Sequence, residues 1–128
     1  MSDKPVTERL QVKGGRRLAI LGASAALERA IGAGEMRAGL AEADIVILFA
    51  PDRARLDADL PAVLAKASPT AILWVAYPKL TSSLAADLSR DAIRALAPEH
   101  GLDTVSQIAI DDDWSALRLK RVRQGGGA

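Results

Sequence analysis

A lysine followed by hydroxyl residues stands between an apolar segment and a helical pattern, in Lys79-Leu80-Thr81-Ser82-Ser83. The first amides of a helix have no backbone partner and carry partial positive charge. Together with a lysine and hydroxyl groups, they would bind a phosphate or a carboxylate. The structural alternative is that Ser82 or Ser83 caps the helix while Lys79 is solvated. Lys79, Thr81 and Ser82 are therefore candidates for binding a small anionic or phosphate-bearing ligand.

Two aspartates lie four residues apart in the pattern that follows, so Asp87 and Asp91 would share one face of a helix. Like charges at this spacing destabilise a helix by about 0.2–0.5 kcal/mol. Arg90 and Arg94 can offset the repulsion through ion pairs, which would make this face a solvated one. If Asp87 instead points to the edge of the sheet, it would pair with Lys79 or accept a hydrogen bond from a ligand. Both interpretations stay open.

Three acids in a row, Asp111-Asp112-Asp113, would suit magnesium or calcium. A calcium loop, however, needs alternating ligands, a glycine and a distal glutamate, which are missing here. A tight hairpin turn is the simpler interpretation, and no metal site is predicted. Trp114 follows the turn, where it would stack on a flat ligand or pack at the hairpin base. Asp111 and Trp114 are kept as ligand-binding candidates, whereas Trp74, inside an apolar run, is expected in the core.

Signatures of catalysis are missing from the chain. It has no cysteine, which rules out thiol catalysis and a zinc-thiolate site. Its one histidine, His100, lies at a predicted helix end, where it favours the helix dipole without a catalytic role. Neither a Gly-x-Ser-x-Gly elbow nor a phosphate-binding P-loop occurs. Whether the chain is an enzyme is left open, and no catalytic residue is named.

The composition is that of one globular domain, because the 128 residues are 49% hydrophobic and 26% charged. No apolar run approaches the roughly 20 residues of a membrane helix, and the N-terminus lacks the layout of a secretory signal. We therefore expect a cytoplasmic protein with no membrane partner. A net charge of +1, with one Tyr and one Phe, makes a nucleic-acid partner unlikely. Flexible tails are expected at 1–13 and 124–128, around a single α/β domain at 14–123.

Strand and helix patterns alternate along this domain. Strands are predicted at 18–22, 44–49, 71–77, 105–110 and 114–122, and helices at 25–31, around 56–64 and around 88–96. Pro61 would either kink the second helix or mark its start near Asp59. The order predicts an α/β fold, a Rossmann-like three-layer sandwich. Its mixed sheet would have about five strands, mostly parallel, with a C-terminal antiparallel hairpin.

The carboxyl ends of the parallel strands form the edge of such a sheet at which ligands bind. The first strand ends beside Ser24 and the third beside Lys79. If the fourth strand is parallel too, Asp111 and Trp114 lie at the same edge. The candidate site at this edge consists of Ser24, Lys79, Thr81, Ser82, Asp87, Asp111 and Trp114.

The layout resembles a class I methyltransferase (Rossmann-like) fold whose first strand is joined directly to the later half. The matching segments are 44–49, 56–64, 72–77 and 105–122. In that family, a G-x-G-x-G loop after the first strand and an acidic residue ending the second strand hold S-adenosylmethionine. Here the loop is Gly22-Ala23-Ser24-Ala25-Ala26, and no second strand is found between residues 31 and 44. Both departures count against this cofactor, and the cofactor is left unknown.

The chain is also similar to a family of small bacterial proteins of unknown function. The shared motifs are LWVAYPK at 73–79, DLSRD at 87–91 and DWSALR at 113–118. The preferred function is a non-catalytic small-molecule-binding or regulatory module on a degenerate methyltransferase-like fold. One alternative is an enzyme, a reduced methyltransferase or another transferase, that uses the same sheet edge. The other is a homo-oligomeric interaction protein, with a homodimer as its simplest form.

Overall fold

A computed structural model describes residues 5–122, in which strands and helices alternate as the sequence predicts. The strands are β1 (Leu18–Leu21), β2 (Ile45–Phe49), β3 (Ile72–Pro78), β4 (Leu102–Ala109) and β5 (Trp114–Arg121). The helices are α1 (Val6–Arg9), α2 (Ala25–Ile31), α3 (Arg53–Lys66) and α4 (Arg90–Leu96), with short 3-10 turns at Gly34–Met36 and Ala97–His100. No helix among the described residues is long and apolar enough to span a membrane.

The strands form one mixed sheet in the order β1-β2-β3-β5-β4. The pairs β1-β2 and β2-β3 are parallel, whereas β5 is antiparallel to both β3 and β4. Strand β4 therefore runs in the same direction as β1, β2 and β3. Its hairpin turn lies at their carboxyl edge, where Pro78 pairs with Trp114. The predicted fold class, a Rossmann-like α/β fold with a mixed five-stranded sheet and a terminal hairpin, is confirmed.

Both faces of the sheet are covered, which gives three layers. Strand β2 shows why, since all five of its residues are buried, as expected for a parallel strand between two layers. One face packs against α3 and α4, through side chains such as Leu60 and Ile93. The opposite face packs against α1 and α2, through side chains such as Leu10 and Ile31. These faces are called the α3 face and the α1 face below.

Residues 5–12, predicted as part of a flexible tail, are instead packed on the α1 face. Leu10 is fully buried, and its carbonyl accepts a hydrogen bond from the Trp74 indole Nε1 at 3.2 Å. The prediction was wrong because mixed charge hid the few apolar residues that cover the sheet, Val6, Leu10 and Val12. The other predicted tail, 124–128, lies outside the described residues.

Helix α3 begins earlier than expected and passes through its proline. Asp52 is its N-cap, whose carboxylate accepts a hydrogen bond from the Arg55 amide at 2.9 Å. Pro61 lies inside the helix, so of the two alternatives for this proline the start near Asp59 is excluded. Helix α2, in contrast, has the predicted bounds, and Gly32 ends it in a left-handed conformation with φ +68°.

The segment between α2 and β2 passes around the outer edge of β1. Ala33 packs in the core of the α1 face, and Ala38 packs in the core of the α3 face. Between them, Arg37 forms an isolated parallel bridge with Leu18, whose carbonyl accepts from the Ala38 amide at 2.9 Å. On the outer side of β1, where a further strand would join the sheet, the described chain forms an isolated bridge in place of a strand.

Candidate functional site

Two candidate segments meet at the carboxyl edge, the loop after β3 and the β4-β5 hairpin turn. The Lys79 amide donates to the Asp113 carbonyl at 2.8 Å. The Ser82 hydroxyl donates to Asp113 Oδ1 at 2.7 Å. The predicted proximity of Lys79 and Ser82 to the Asp111–Trp114 region is therefore present. The hydroxyl of Ser82 is used for this contact and for accepting the Leu84 amide.

The loop does not lead directly into a helix, contrary to the sequence interpretation. Helix α4 starts at Arg90, and its N-cap is Ser89, whose hydroxyl accepts from the Ala92 amide at 3.0 Å. Ser82 and Ser83 therefore do not cap it. The physical reason is that hydrogen bonds to distant elements hold residues 79–89 in turns, and sequence spacing carries no information about those bonds. The helical anion site expected at Lys79 is thus not formed in that way.

Asp87 lies before α4, so it does not share a helix face with Asp91. Its Oδ1 accepts a hydrogen bond from the Arg53 amide at 2.7 Å. Arg53 is the first residue of α3, so Asp87 joins Asp52 in satisfying the amides at that N-terminus. No ion pair connects Asp87 with Lys79 in residues 5–122.

The hairpin turn is organised by Asp111. Its Oδ1 accepts from the amides of Asp113 and Trp114, both at 2.8 Å. Within the described chain, no group of three or more histidines and acids is placed to hold a metal ion. The Trp114 ring is half-buried and meets the Phe49 ring edge to face, with centroids 5.2 Å apart. This contact matches the packing alternative for Trp114.

Ser24 lies at the end of β1, away from the loop after β3. It is the exposed N-cap of α2, and its hydroxyl accepts from the Leu27 amide at 3.2 Å. The preceding turn contains Gly22, which has φ +76°. A Cβ at Gly22 would lie 2.6 Å from the Phe49 carbonyl oxygen, so a close approach between β1 and β2 requires glycine there.

A cavity of about 380 Å³ opens on the α3 face, next to the carboxyl end of β3. We call it the Tyr77 pocket. Its polar lining consists of Tyr77, Lys79, Thr81, Arg90, Gln107 and Ser115, and Leu80 borders it. Of the seven predicted site residues, Lys79 and Thr81 line this pocket.

Strand pairing explains how the sheet builds the floor of this pocket. Tyr77 and Ser115 are direct partners in the β3-β5 ladder, so their side chains lie side by side on one face. Ala109 pairs with Ser115, which places Gln107 diagonally across the next strand. Tyr77 is 3% exposed and Ser115 is 4% exposed, so the pocket reaches two otherwise buried hydroxyl residues.

The charged residues that line the pocket are both cations, Lys79 and Arg90, although most of its exposed surface is apolar. Burial raises the pKa of Tyr77 above its ordinary value of 10.0, while nearby Arg90 lowers it and Asp91 raises it. The phenol therefore stays protonated at neutral pH and can donate a hydrogen bond. None of the described lining residues is acidic. The ion pairs within residues 5–122 include neither Lys79 nor Arg90.

The six polar side chains that line the pocket are also without hydrogen-bond partners in the described part of the protein. Sequence reasoning missed four of them, Tyr77, Arg90, Gln107 and Ser115. One signal was available: alternation along β3 puts Tyr77 on the face of Leu73 and Val75, with its polar tip at the carboxyl end of the strand.

Comparison with known proteins identifies the fold. No family model matches the chain, and no curated protein matches it in sequence. Solved structures do match, among them a ribosomal protein L11 methylase from Lactobacillus delbrueckii subsp. bulgaricus. That match has a TM-score of 0.59 at 11% identity and covers 92% of this chain and 75% of the methylase. The chain has a methyltransferase-like Rossmann fold.

Two further structures support this assignment of the methyltransferase-like fold. DhpI in complex with SAH matches with a TM-score of 0.58 and 12% identity, over 94% of this chain and 84% of DhpI. The mitomycin 7-O-methyltransferase MmcR matches with a TM-score of 0.53 and 14% identity, over 91% of this chain and 54% of MmcR. At these identities the likeness shows the fold alone.

The residues at the end of β1 do not fit S-adenosylmethionine in the way the resemblance implies. Gly22 is the one glycine of the turn, and the Phe49 carbonyl oxygen lies 2.6 Å from the position that a Cβ at residue 22 would have. In the described chain, a single bridge at Arg37 stands beside β1, so no second strand ends in a carboxylate there. The side chain of Ser24 is used as a helix cap.

Proposed function

We propose that this protein is a small-molecule-binding module without a catalytic role, which holds a small anionic or phosphate-bearing ligand in the Tyr77 pocket. The observation that carries the proposal is the lining itself. Lys79 and Arg90 line one cavity with the buried residues Tyr77 and Ser115, and neither cation forms an ion pair within residues 5–122. A volume of about 380 Å³ lies in the lower part of the range of small-ligand pockets, roughly 300–1,000 Å³.

Each lining group has a chemical role in this proposal. The Lys79 ammonium and the Arg90 guanidinium donate charge-assisted hydrogen bonds to the anion. The Tyr77 phenol, protonated at neutral pH, donates another. The hydroxyls of Thr81 and Ser115 donate or accept, and so they would select for the groups attached to the anion.

A ligand screen tests this function. We would record thermal unfolding with fructose 6-phosphate, AMP or citrate, which represent sugar phosphates, nucleotides and carboxylates. A ligand at 100 times its Kd stabilises the protein by about 2.7 kcal/mol, a rise in Tm of roughly 10 °C for a chain of this size. The Lys79→Gln variant should lose the rise, and Lys13→Gln, an exposed lysine outside the pocket, should keep it. Absence of any rise, or an equal rise in both variants, would overturn the proposal.

An enzyme of the methyltransferase type is the second candidate, and the fold likeness favours it. Its test is binding of S-adenosylmethionine and S-adenosylhomocysteine in the same assay. A rise in Tm with either compound that survives Lys79→Gln would favour this candidate over the anion pocket. No rise with either, together with a rise from a phosphate or a carboxylate, would favour the binding module.

A further inference from the structure

A second cavity, of about 290 Å³, lies beside the Tyr77 pocket on the same face of the sheet. We call it the Arg94 pocket. Arg90 and Gln107 line both cavities, so the two are neighbours. The remaining lining of the Arg94 pocket is Arg94, Thr104, Val105, Ser106 and Leu117.

Helix α4 carries two of the three cations that line the cavities, Arg90 and Arg94. Arg90 and Arg94 are one turn apart on α4, which corresponds to about 6 Å along the helix axis. The two cavities are called the groove below; Arg90 lines both parts of it, Lys79 lines one part and Arg94 the other.

Strand β4 is irregular where it lines the Arg94 pocket. The pairing register of β4 with β5 shifts between Thr104 and Gln107, so Val105 and Ser106 bulge out of the ladder. Because Thr104 pairs with Leu119 and Gln107 with Leu117, the shift places Thr104 and Gln107 on the same face although they are three residues apart. The hydroxyl residues among the lining of the pocket are Thr104 and Ser106.

No acidic residue of the described chain lines this groove, although the Asp91 charge acts on Tyr77. Asp91 and Asp103 are next to lining residues in sequence, yet neither lines a cavity. The ion pairs within residues 5–122 do not include Arg94. An arginine without a carboxylate partner is available to a second anionic group.

We infer that the ligand carries two anionic groups, one held by Lys79 and Arg90 and the other by Arg94 with the hydroxyls of β4. This inference rests on the proposed function and specifies its ligand class as a bisphosphate, a dicarboxylate or a phosphorylated acid. The two anionic groups are separated by a spacer of about 6 Å or more, the rise from Arg90 to Arg94.

The test compares two ligands that differ by one phosphate, fructose 6-phosphate and fructose 1,6-bisphosphate, by titration calorimetry. Wild type should bind the bisphosphate about tenfold or more tightly, since one additional charge-assisted contact is formed. Arg94→Gln should remove this preference and leave the monophosphate affinity unchanged. Arg94→Lys should retain part of the preference. The matched control is Arg29→Gln, because Arg29 is an exposed arginine in the last turn of α2, on the other face of the sheet.

The outcomes separate this inference from the function on which it rests. If neither sugar phosphate binds, both the anion pocket for these ligands and the second subsite are refuted. If fructose 6-phosphate binds and Lys79→Gln abolishes binding, but the bisphosphate binds no more tightly, the second subsite alone is wrong. A preference that persists in Arg94→Gln would likewise overturn the assignment of Arg94.

Discussion

Replacing Gly22 by alanine tests whether that glycine is required by packing between β1 and β2. Gly22 has φ +76°, a conformation that costs a residue with a Cβ roughly 1–2 kcal/mol. The added Cβ would also lie 2.6 Å from the Phe49 carbonyl oxygen. Since that oxygen belongs to the buried backbone of β2, it cannot move away as the end of a flexible side chain would.

The size of the packing contribution follows from comparison with Gly15. That glycine has φ +84°, and a Cβ there would meet no atom within 4 Å. Gly15→Ala should therefore cost about 1 kcal/mol, mainly for its backbone conformation, with a small gain from the less flexible unfolded chain. Gly22→Ala should cost about 1–3 kcal/mol more, the range for a substitution that forces the backbone to shift.

Urea unfolding followed by circular dichroism and by tryptophan fluorescence would measure both variants. Agreement of the two probes would support two-state unfolding, so that the free energies of unfolding can be compared. Equal losses in Gly22→Ala and Gly15→Ala, within about 0.5 kcal/mol, would refute the close approach of Gly22 to β2. A larger loss in Gly22→Ala would mean that this glycine serves packing whether or not a cofactor binds.

Two further substitutions separate structural from ligand-binding roles. Tyr77→Phe should flatten the pH dependence of unfolding above pH 10: the folded-state pKa of Tyr77 is raised, so its contribution is complete below pH 10 and is lost as the pH rises through the folded-state value. Parallel stability curves for wild type and the variant in urea unfolding between pH 8 and 11 would contradict this. Asp87→Ala should lower the free energy of unfolding by about 1 kcal/mol, because the Arg53 amide loses its acceptor, and should leave anion binding unchanged in the thermal assay. A binding loss at full stability would instead return Asp87 to the ligand site.

The fold could be predicted from the sequence because its strands carry local patterns. The apolar run of β2 and the helix-ending Gly32 are signals within a few residues, and both matched the structure. Errors arose where distant contacts decide. The Arg53 amide donates a hydrogen bond to the Asp87 carboxylate, 34 positions along the chain. This contact holds the segment before α4 out of the helix. The start of α3 differs, because its N-cap bond from the Arg55 amide to Asp52 spans three residues and is a local signal.

The location of the candidate site could be predicted from the sequence, whereas most of the residues that line it could not. Topology places Lys79 and the hairpin turn at one edge, and this followed from strand order. The involvement of Tyr77 and Ser115 depends on cross-strand register, which a single sequence does not specify. Arg90 faces the pocket because α4 starts at that residue, and the sequence predicted an earlier start.

Two places at the carboxyl edge offer polar groups, and they differ in whether those groups are already engaged. The helices that follow β1 and β2 lie on opposite faces of the sheet, and folds of this kind bind ligands between two such strands. At this position Ser24 and Asp52 cap their own helices. Gly22 also lies against the Phe49 carbonyl there. In the Tyr77 pocket, the described lining has cations and hydroxyls without internal partners. Lys79, Thr81, Arg90 and Gln107 are reached by solvent, so under the proposed function the ligand replaces water as their hydrogen-bond partner. Under the proposed function, the ligand binds beside β3 and β5, and the residues at the end of β1 serve the packing of the fold.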